Sequence, residues 1–180
     1  MLPDMKKLHI ADIHAPVITL GPGRRFVVWV QGCCFDCSGC TSPQWRTSDG
    51  GVFTEVEELS QVICKTPNIQ GLTISGGEPM LQAGTLAHLV QIVRRRRPLS
   101  VICYTGFDLK ALENDKEPAR MKLISLCDVL IDGPYIAALN DNRGASWVVQ
   151  PTGTFYQRLL CRNERYFCFR PPAYATGIFR

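Results

Sequence analysis

Three cysteines on one short stretch of the chain have a spacing that suits a metal cluster. Cys33, Cys37 and Cys40 follow the pattern C-x3-C-x2-C, so one loop can direct three thiolates at a common centre. A 4Fe–4S cluster normally takes four thiolates, and three leave one iron without a protein ligand. An open coordination position is what a metal centre needs if it is to bind substrate as well as carry electrons. The spacing therefore favours an iron–sulfur cluster with one open iron.

Zinc binding and plain thiols are the alternatives for the same loop. Zinc would need a fourth ligand, and none of His9, His14 and His88 lies near the loop along the chain. Cys34 adjoins Cys33 and cannot easily join the same tetrahedron, so we expect it to be a small buried residue rather than a ligand. The chain has 9 cysteines in all, and this odd count favours a metal centre over a disulfide framework.

Composition predicts one globular domain. The chain has 180 residues, of which 46% are hydrophobic and 20% charged, enough apolar material for a packed core. Its apolar runs are far too short to cross a bilayer, and its N-terminus has no apolar stretch followed by a cleavage site. The formal net charge of +4 does not require a nucleic-acid partner. We therefore expect a cytoplasmic protein with no membrane and no nucleic-acid partner.

Predicted strands alternate with predicted helices along the chain. β-Branched and aromatic runs predict strands at 25–30, 71–75, 99–104 and 128–132, with 157–161 as a candidate fifth. The helical segments between them show apolar stripes at Val56, Leu59, Val62 and Ile63 and at Leu86, Leu89, Val90 and Val93, with a further helix around 119–126. Such alternation predicts right-handed βαβ units and a mostly parallel sheet in an α/β fold.

Two of the predicted helix ends carry their own signals. Thr54 and Glu57 form a capping box, which predicts that Thr54 caps the first helix. The arginine run 94–97, followed by Pro98, predicts the end of the second helix. We interpret this run as a solvated helix end that complements the helix dipole, with docking of an acidic partner as the lesser alternative.

Each segment that could do chemistry follows a predicted strand. The cysteine loop at 31–45 follows the first strand, 76–79 follows the second, Thr105 follows the third, and Asp132 ends the fourth. Ligands of parallel sheets bind beyond the carboxyl ends of the strands, so we expect these segments to meet on one rim, with Trp45 packed under the cysteine loop. Taken alone, the glycine-bearing segment could be an ordinary turn, and Thr105 and Asp132 could be caps.

Two of these segments, in this order, resemble the signature of the radical S-adenosylmethionine superfamily. Cys33-x3-Cys37-x2-Cys40, with Phe35 in the interval, is similar to the superfamily's cluster motif. The segment Ser75-Gly76-Gly77-Glu78-Pro79 is similar to the motif that holds the methionine end of the cofactor.

Longer strings resemble the activating enzymes of glycyl radical enzymes, most of all the small activases of anaerobic ribonucleotide reductase. They are RFVVWVQGCCFDCSGCTSPQW at 25–45, YTGF at 104–107, DVLIDGPY at 128–135 and Gly153-x3-Gln157-Arg158. The resemblance extends from about residue 15 to about residue 160.

The resemblance implies a specific chemistry. Cys33, Cys37 and Cys40 would ligate three irons of a 4Fe–4S cluster, and the fourth iron would chelate the amino and carboxylate groups of S-adenosylmethionine. One electron would cleave the sulfonium C–S bond to give methionine and a 5′-deoxyadenosyl radical, which abstracts a hydrogen atom. The cofactor-binding residues would be Ser75, Gly76, Gly77, Glu78, Pro79, Thr105 and Asp132. The expected partners are a large glycyl radical enzyme, such as anaerobic ribonucleotide reductase, and a flavodoxin- or ferredoxin-type reductant.

Length limits the fold that the resemblance implies. A complete eight-unit barrel needs roughly 200 residues or more, so we expect a partial (β/α) barrel of the radical S-adenosylmethionine type, open on one side, over residues 1–160. An open side suits a substrate carried on a macromolecule. Residues 161–180 are aromatic, bear several arginines and lack periodicity, and we expect this tail to contribute to partner docking.

Two other functions remain open at this point. The first is a radical enzyme that modifies a peptide or a small molecule, as the small deazaguanine-forming members of the superfamily do. The second is an iron–sulfur electron carrier or metal-binding module. The segment Gly76–Pro79 argues against the second, because a carrier needs no cradle for a further cofactor.

Overall fold

The structure, a computed structural model, describes residues 6–137. The candidate strand at 157–161, the Gly153-x3-Gln157-Arg158 motif and the tail at 161–180 lie outside the described residues. The strands are β1 (Lys7–Val17), β2 (Arg25–Val30), β3 (Val52–Glu55), β4 (Gly71–Gly76), β5 (Ser100–Tyr104) and β6 (Val129–Ile131). The α-helices are α1 (Val56–Lys65), α2 (Ala83–Arg96), α3 (Leu109–Asp115) and α4 (Pro118–Leu126), and two short 3₁₀ helices cover Pro43–Trp45 and Pro79–Gln82.

The strands form one open, mostly parallel sheet in the order β3-β1-β2-β4-β5-β6. Strands β2, β4, β5 and β6 are mutually parallel, which confirms the α/β prediction and the four predicted strands to within two residues. Strands β1 and β3 were not predicted; β1 pairs antiparallel with both β2 and β3. The open sheet is compatible with a partial barrel. Among residues 6–137, no helix has the length and apolar character needed to cross a membrane.

The predicted N-cap of the first helix is wrong by one residue. Thr54 lies in β3, where it pairs with Leu8 of β1, so strand pairing takes up the residue that was expected to cap the helix. Helix α1 begins at Val56 instead, after Glu55, whose side chain makes no capping hydrogen bond. The predicted stripe is buried except for Val62, which is 47% exposed at the edge of the helix face.

The arginines at the end of α2 are not a freely solvated helix end. Three of the four tie α2 to its neighbours, because their guanidinium groups reach acceptors on α1 and at the start of β6. The contacts are Arg94 to Asp128, Arg96 to Glu57 and Ser60, and Arg97 to the backbone carbonyls of Cys64, Thr66 and Ile69. This run serves the packing of the fold, which weakens the alternative that it docks an acidic partner.

The two faces of the parallel strands have different roles. One face packs against the helices and forms the main core with residues such as Phe26, Val28, Leu72 and Ile74. The other, which we call the inner face, carries three cross-strand rows. They are Arg25, Gly71 and Ser100, then Val27, Thr73, Ile102 and Val129, and finally Trp29 and Ser75 with Tyr104 and Ile131 at the carboxyl ends of the strands.

The connection between β1 and β2 covers the amino end of the inner face. The Thr73 hydroxyl donates a hydrogen bond of 2.9 Å to the Leu20 carbonyl of this connection. A Cβ atom added at Gly21 would lie 2.5 Å from Ile102 Cδ1, so the connection passes directly over the strands. The inner face is therefore closed at one end and open at the carboxyl end, where the predicted site residues lie.

Candidate functional site

A cavity of about 420 Å³ opens at the carboxyl ends of the parallel strands. The predicted residues that line it are Cys33, Cys37, Cys40, Ser75, Gly76, Gly77, Glu78, Thr105 and Asp132. The four segments thus meet on one rim, as expected from the parallel sheet. Pro79 is the exception among the predicted residues. It is buried at the start of the 3₁₀ helix Pro79–Gln82 and is not part of the cavity wall, because the chain turns into that helix immediately after Glu78.

Hydrogen bonds at its base hold the cysteine loop in place. The Gly32 N–H donates to the Trp45 carbonyl at 2.8 Å, and the Cys33 N–H donates to the Arg46 carbonyl at 3.0 Å. The Trp45 ring packs against Trp29 of β2, with ring centroids 5.7 Å apart. These two hydrogen bonds close the base of the loop at the end of β2, and the three thiols of the loop line one cavity.

The three predicted ligand thiols differ from their neighbour Cys34. Cys33, Cys37 and Cys40 are half-buried, reduced and part of the cavity wall. Cys34 is exposed and does not line the cavity, so the expectation that it is buried is wrong. Burial raises the pKa of the Cys33 thiol, and the N–H of Phe35, which donates to its sulfur at 3.4 Å, partly opposes this.

The donor set fits an iron–sulfur cube better than a zinc ion. Within residues 6–137, no three Cys, His, Asp or Glu side chains are close enough to share one metal ion. Zinc requires four ligands around a single ion. In a cube each thiolate binds a different iron, so three thiolates spread around one cavity suit it. The three cysteines could therefore hold a 4Fe–4S cluster.

The glycine-bearing segment packs directly against the cysteine loop. The Gly77 N–H donates to the Val30 carbonyl and the Glu78 N–H to the Gly32 carbonyl, both at 2.8 Å. Gly76 has a φ of +109°, a conformation that side-chain-bearing residues rarely adopt. A Cβ atom at Gly77 would overlap the Gly32 carbonyl oxygen. The two glycines thus allow β4 to end in contact with the loop that bears the thiols.

The Glu78 carboxylate is a structural anchor of the rim. It is only 1% exposed, and its Oε1 accepts hydrogen bonds from the Met80 N–H at 2.8 Å and the Thr105 hydroxyl at 2.7 Å. Its Oε2 accepts from the Gly106 N–H at 2.8 Å. Burial raises the pKa of Glu78, and these hydrogen bonds oppose the rise. These contacts support a role for Glu78 in anchoring the turn, while its expected binding of the cofactor stays a prediction.

Thr105 and Asp132 combine capping with a place in the cavity wall. The Thr105 hydroxyl donates to Glu78 and accepts from the Phe107 N–H at 3.1 Å. Asp132 Oδ2 accepts from the Leu109 N–H at 2.7 Å, at the start of α3. Burial raises the pKa of Asp132, opposed by that hydrogen bond. Each residue thus stabilises a turn and also lines the cavity, while binding of the cofactor by either one stays a prediction.

Sequence reasoning missed the aromatic contacts behind the rim. Phe35 of the cysteine loop meets Phe107 edge to face, with ring centroids 4.9 Å apart, and the Arg120 guanidinium lies 4.9 Å from the centre of the Phe107 ring. A Cβ atom at Gly106 would lie 2.7 Å from the Phe35 ring. The signals were present as the aromatic between the cysteines and as YTGF at 104–107, but a contact between them requires the fold.

The contacts of Glu78 lead to a prediction. We expect Glu78→Gln to lower the free energy of unfolding by about 1–3 kcal/mol, because the amide N–H₂ would face the Gly106 N–H and leave it without an acceptor. Guanidinium denaturation under reducing conditions measures this. Glu58→Gln, on the exposed side of α1, is the matched control and should leave stability unchanged. Equal stability of the two variants would contradict the anchoring role.

Comparison with known proteins agrees with the site. Residues 19–152 match the family model described as a 4Fe–4S single cluster domain. The anaerobic ribonucleoside-triphosphate reductase-activating protein of Escherichia coli K12 is 33% identical over 132 residues, which cover 69% of this chain and 82% of that protein. The protein of the same name from Haemophilus influenzae is 40% identical over 124 residues, which cover 64% of this chain and 77% of that protein.

A more distant relative carries a different activase name. The pyruvate formate-lyase-activating enzyme of Staphylococcus epidermidis is 31% identical over 91 residues, which cover 47% of this chain and 36% of that protein. The identity to the first two relatives extends over most of their length. The chain therefore belongs to the family of anaerobic ribonucleoside-triphosphate reductase-activating proteins, within the radical S-adenosylmethionine activases.

Proposed function

We propose that this protein is the activase of an anaerobic ribonucleotide reductase and that it installs a glycyl radical on that partner. One observation carries the proposal: the three thiols and the glycine-bearing segment form adjoining walls of a single cavity. A 4Fe–4S cluster held by Cys33, Cys37 and Cys40 would supply one electron for the cleavage of S-adenosylmethionine to methionine and a 5′-deoxyadenosyl group. That group would leave as 5′-deoxyadenosine, with a hydrogen atom taken from a glycine Cα of the partner.

The residues of this chain bind and orient the reactants. Cys33, Cys37 and Cys40 would hold three irons, which would leave the fourth for the amino-acid end of S-adenosylmethionine. Backbone groups of Ser75, Gly76 and Gly77 approach that end of the cofactor, since no side chain beyond the hydroxymethyl group of Ser75 stands in the way. Glu78 acts through position, because its carboxylate is occupied by Met80, Thr105 and Gly106.

Thr105 and Asp132 line the part of the cavity wall that follows β5 and β6. Both side chains are engaged in turns, and both remain in the lining. In the proposed function they bound the space beside the cofactor. Pro79 is left out of the binding set, since it is buried outside the cavity wall.

The other functions considered from the sequence receive less support. The relatives described above are named as activating proteins of large enzymes, which does not favour a small-molecule substrate. An electron carrier would have no use for the glycine-bearing wall beside its cluster. The architecture of the radical S-adenosylmethionine barrel, the flavodoxin- or ferredoxin-type reductant and a cytoplasmic location without membrane or nucleic-acid partners remain predictions of the proposed function.

The proposal is tested with the reconstituted protein and the anaerobic ribonucleotide reductase encoded in the same genome. With S-adenosylmethionine and a strong one-electron reductant, we expect a glycyl doublet in the electron paramagnetic resonance spectrum of the reductase. We also expect about one 5′-deoxyadenosine per radical, because each hydrogen transfer consumes one cofactor.

A reductase whose radical-site glycine is changed to alanine is the control and should give no doublet. The activase proposal fails if the wild-type reductase and every other encoded glycyl radical enzyme stay silent while a small molecule is turned over. In that outcome only the cleavage of S-adenosylmethionine would survive.

A further inference from the structure

Tyr104 is part of the cavity wall but has no role in the interactions described so far. It ends β5, pairs with Ile131 of β6 and lies on the inner face, one residue before Thr105. Its ring lines the same cavity as the three thiols and the glycine-bearing segment. Through Thr105, whose hydroxyl contacts Glu78, it is also linked to the wall that the family resemblance assigns to the methionine end of the cofactor.

The Tyr104 hydroxyl lacks a hydrogen-bond partner. Among the residues that the structure describes, its oxygen is the only buried side-chain nitrogen or oxygen atom without one. Burial raises the pKa of Tyr104 to about 12, so the phenol is protonated and can donate at neutral pH. A phenylalanine would fill nearly the same volume without leaving a polar atom unsatisfied, and such an atom destabilises a fold.

The electrostatic surroundings favour a ligand atom that carries negative charge. The buried Arg25 guanidinium interacts with Tyr104 and is hydrogen-bonded only to neutral acceptors, namely the hydroxyls of Thr73 and Ser100 and the carbonyls of Pro22, Leu72 and Ser100. Asp128 interacts with this charge electrostatically, but within the described residues no carboxylate is hydrogen-bonded to it. A neutral donor that interacts with such a cation is suited to an anionic oxygen.

We propose that the Tyr104 hydroxyl donates a hydrogen bond to the carboxylate end of S-adenosylmethionine when that molecule fills the cavity, which makes Tyr104 a positioning residue for the cofactor. The proposal rests on the proposed function, since it requires that the cavity binds S-adenosylmethionine. It explains why a buried hydroxyl stands unsatisfied in the wall: its partner arrives with the ligand. The unsatisfied hydroxyl lowers the stability of the ligand-free protein, and in the complex it orients the cofactor.

The test is Tyr104→Phe, measured in two ways. Without ligand, the variant should unfold at the same denaturant concentration as the wild type or a higher one, because it loses only an unsatisfied polar atom. In the reconstituted protein, with no reductant present, its dissociation constant for S-adenosylmethionine should rise about tenfold or more, as expected for a lost hydrogen bond to a charged group. Its iron content should equal that of the wild type.

A second ligand locates the contact. 5′-Methylthioadenosine has the nucleoside part of the cofactor without the amino-acid end, and its affinity should be the same for both proteins. Equal loss of affinity for the two ligands would overturn the assignment to the carboxylate end. No loss for either, or lower stability of the variant without ligand, would overturn the proposal as a whole. If wild-type protein itself fails to bind S-adenosylmethionine, the proposed function fails instead.

Discussion

Changing any one of Cys33, Cys37 and Cys40 to alanine is expected to abolish the cluster and, with it, formation of the glycyl radical. Each thiolate binds a different iron, so removing one thiol leaves the cube with only two of its three protein ligands. Iron and sulfide should fall from about four of each per chain to almost none after anaerobic reconstitution. Both are measured chemically, and the glycyl doublet reports the loss of function.

The neighbouring Cys34 provides a matched control. It is adjacent to Cys33 in the chain, but it is exposed and outside the cavity wall, so Cys34→Ala should keep the full iron content. Circular dichroism should show all four variants folded, since the loop is held by backbone hydrogen bonds at its base and not by the thiols. Loss of iron in Cys34→Ala, or zinc in place of iron in the wild type, would contradict the assignment.

Sequence reasoning located the parallel strands because they are buried on both faces. Phe26–Val30 is a continuous apolar run, and Leu72, Thr73 and Ile74 are all buried. This is the pattern of strands covered by helices on one side and by a closed interior on the other. Strand β1 escaped because its burial pattern does not alternate: Asp12, Ile13 and His14 are exposed in succession, and the register with β2 shifts twice. Strand β3 has only four residues, and its Val52 and Phe53 are exposed.

The sequence could predict which segments form the site, but it could not predict the hydrogen bonds between them. Parallel topology alone brings the ends of β2, β4, β5 and β6 to one rim. The bond between Glu78 and Thr105, however, joins residues 27 positions apart, and nothing in either segment shows which acceptor the threonine hydroxyl meets. For the same reason the sequence could not distinguish Glu78 as an anchor from Glu78 as a cofactor ligand. Pro79 was included because it belongs to a motif, and only its burial separates it from the cavity.

The largest stability effect is expected from Arg25, at the closed end of the inner face. The side chain is 1% exposed, and its guanidinium makes five hydrogen bonds that join β2 to β4, β5 and the β1–β2 connection. Its Nε donates to the Thr73 hydroxyl at 2.5 Å, and one Nη2 bond reaches the Leu72 carbonyl at 2.7 Å. Burial lowers the pKa of Arg25 to about 10, because desolvation disfavours the charged form of the guanidinium.

Replacing this guanidinium therefore sets two effects against each other. Arg25→Met keeps a side-chain stem of similar size and removes a buried charge, which is favourable. It also leaves buried acceptors on three elements without a donor, and each such acceptor lowers the free energy of unfolding by about 1–3 kcal/mol. The second effect is the larger, and we expect the free energy of unfolding to fall by about 3 kcal/mol or more.

Arg24→Met is the matched control. The Arg24 side chain is exposed and its Nε reaches only the Asn68 carbonyl, so its replacement should change the free energy of unfolding by less than about 1 kcal/mol. Urea denaturation of the metal-free proteins compares the two. Equal stability of Arg25→Met and Arg24→Met would mean that the free energy gained by removing the buried charge equals the free energy lost with the hydrogen bonds. In that case the apolar packing of Val27 and Ile102 holds the closed end of the inner face.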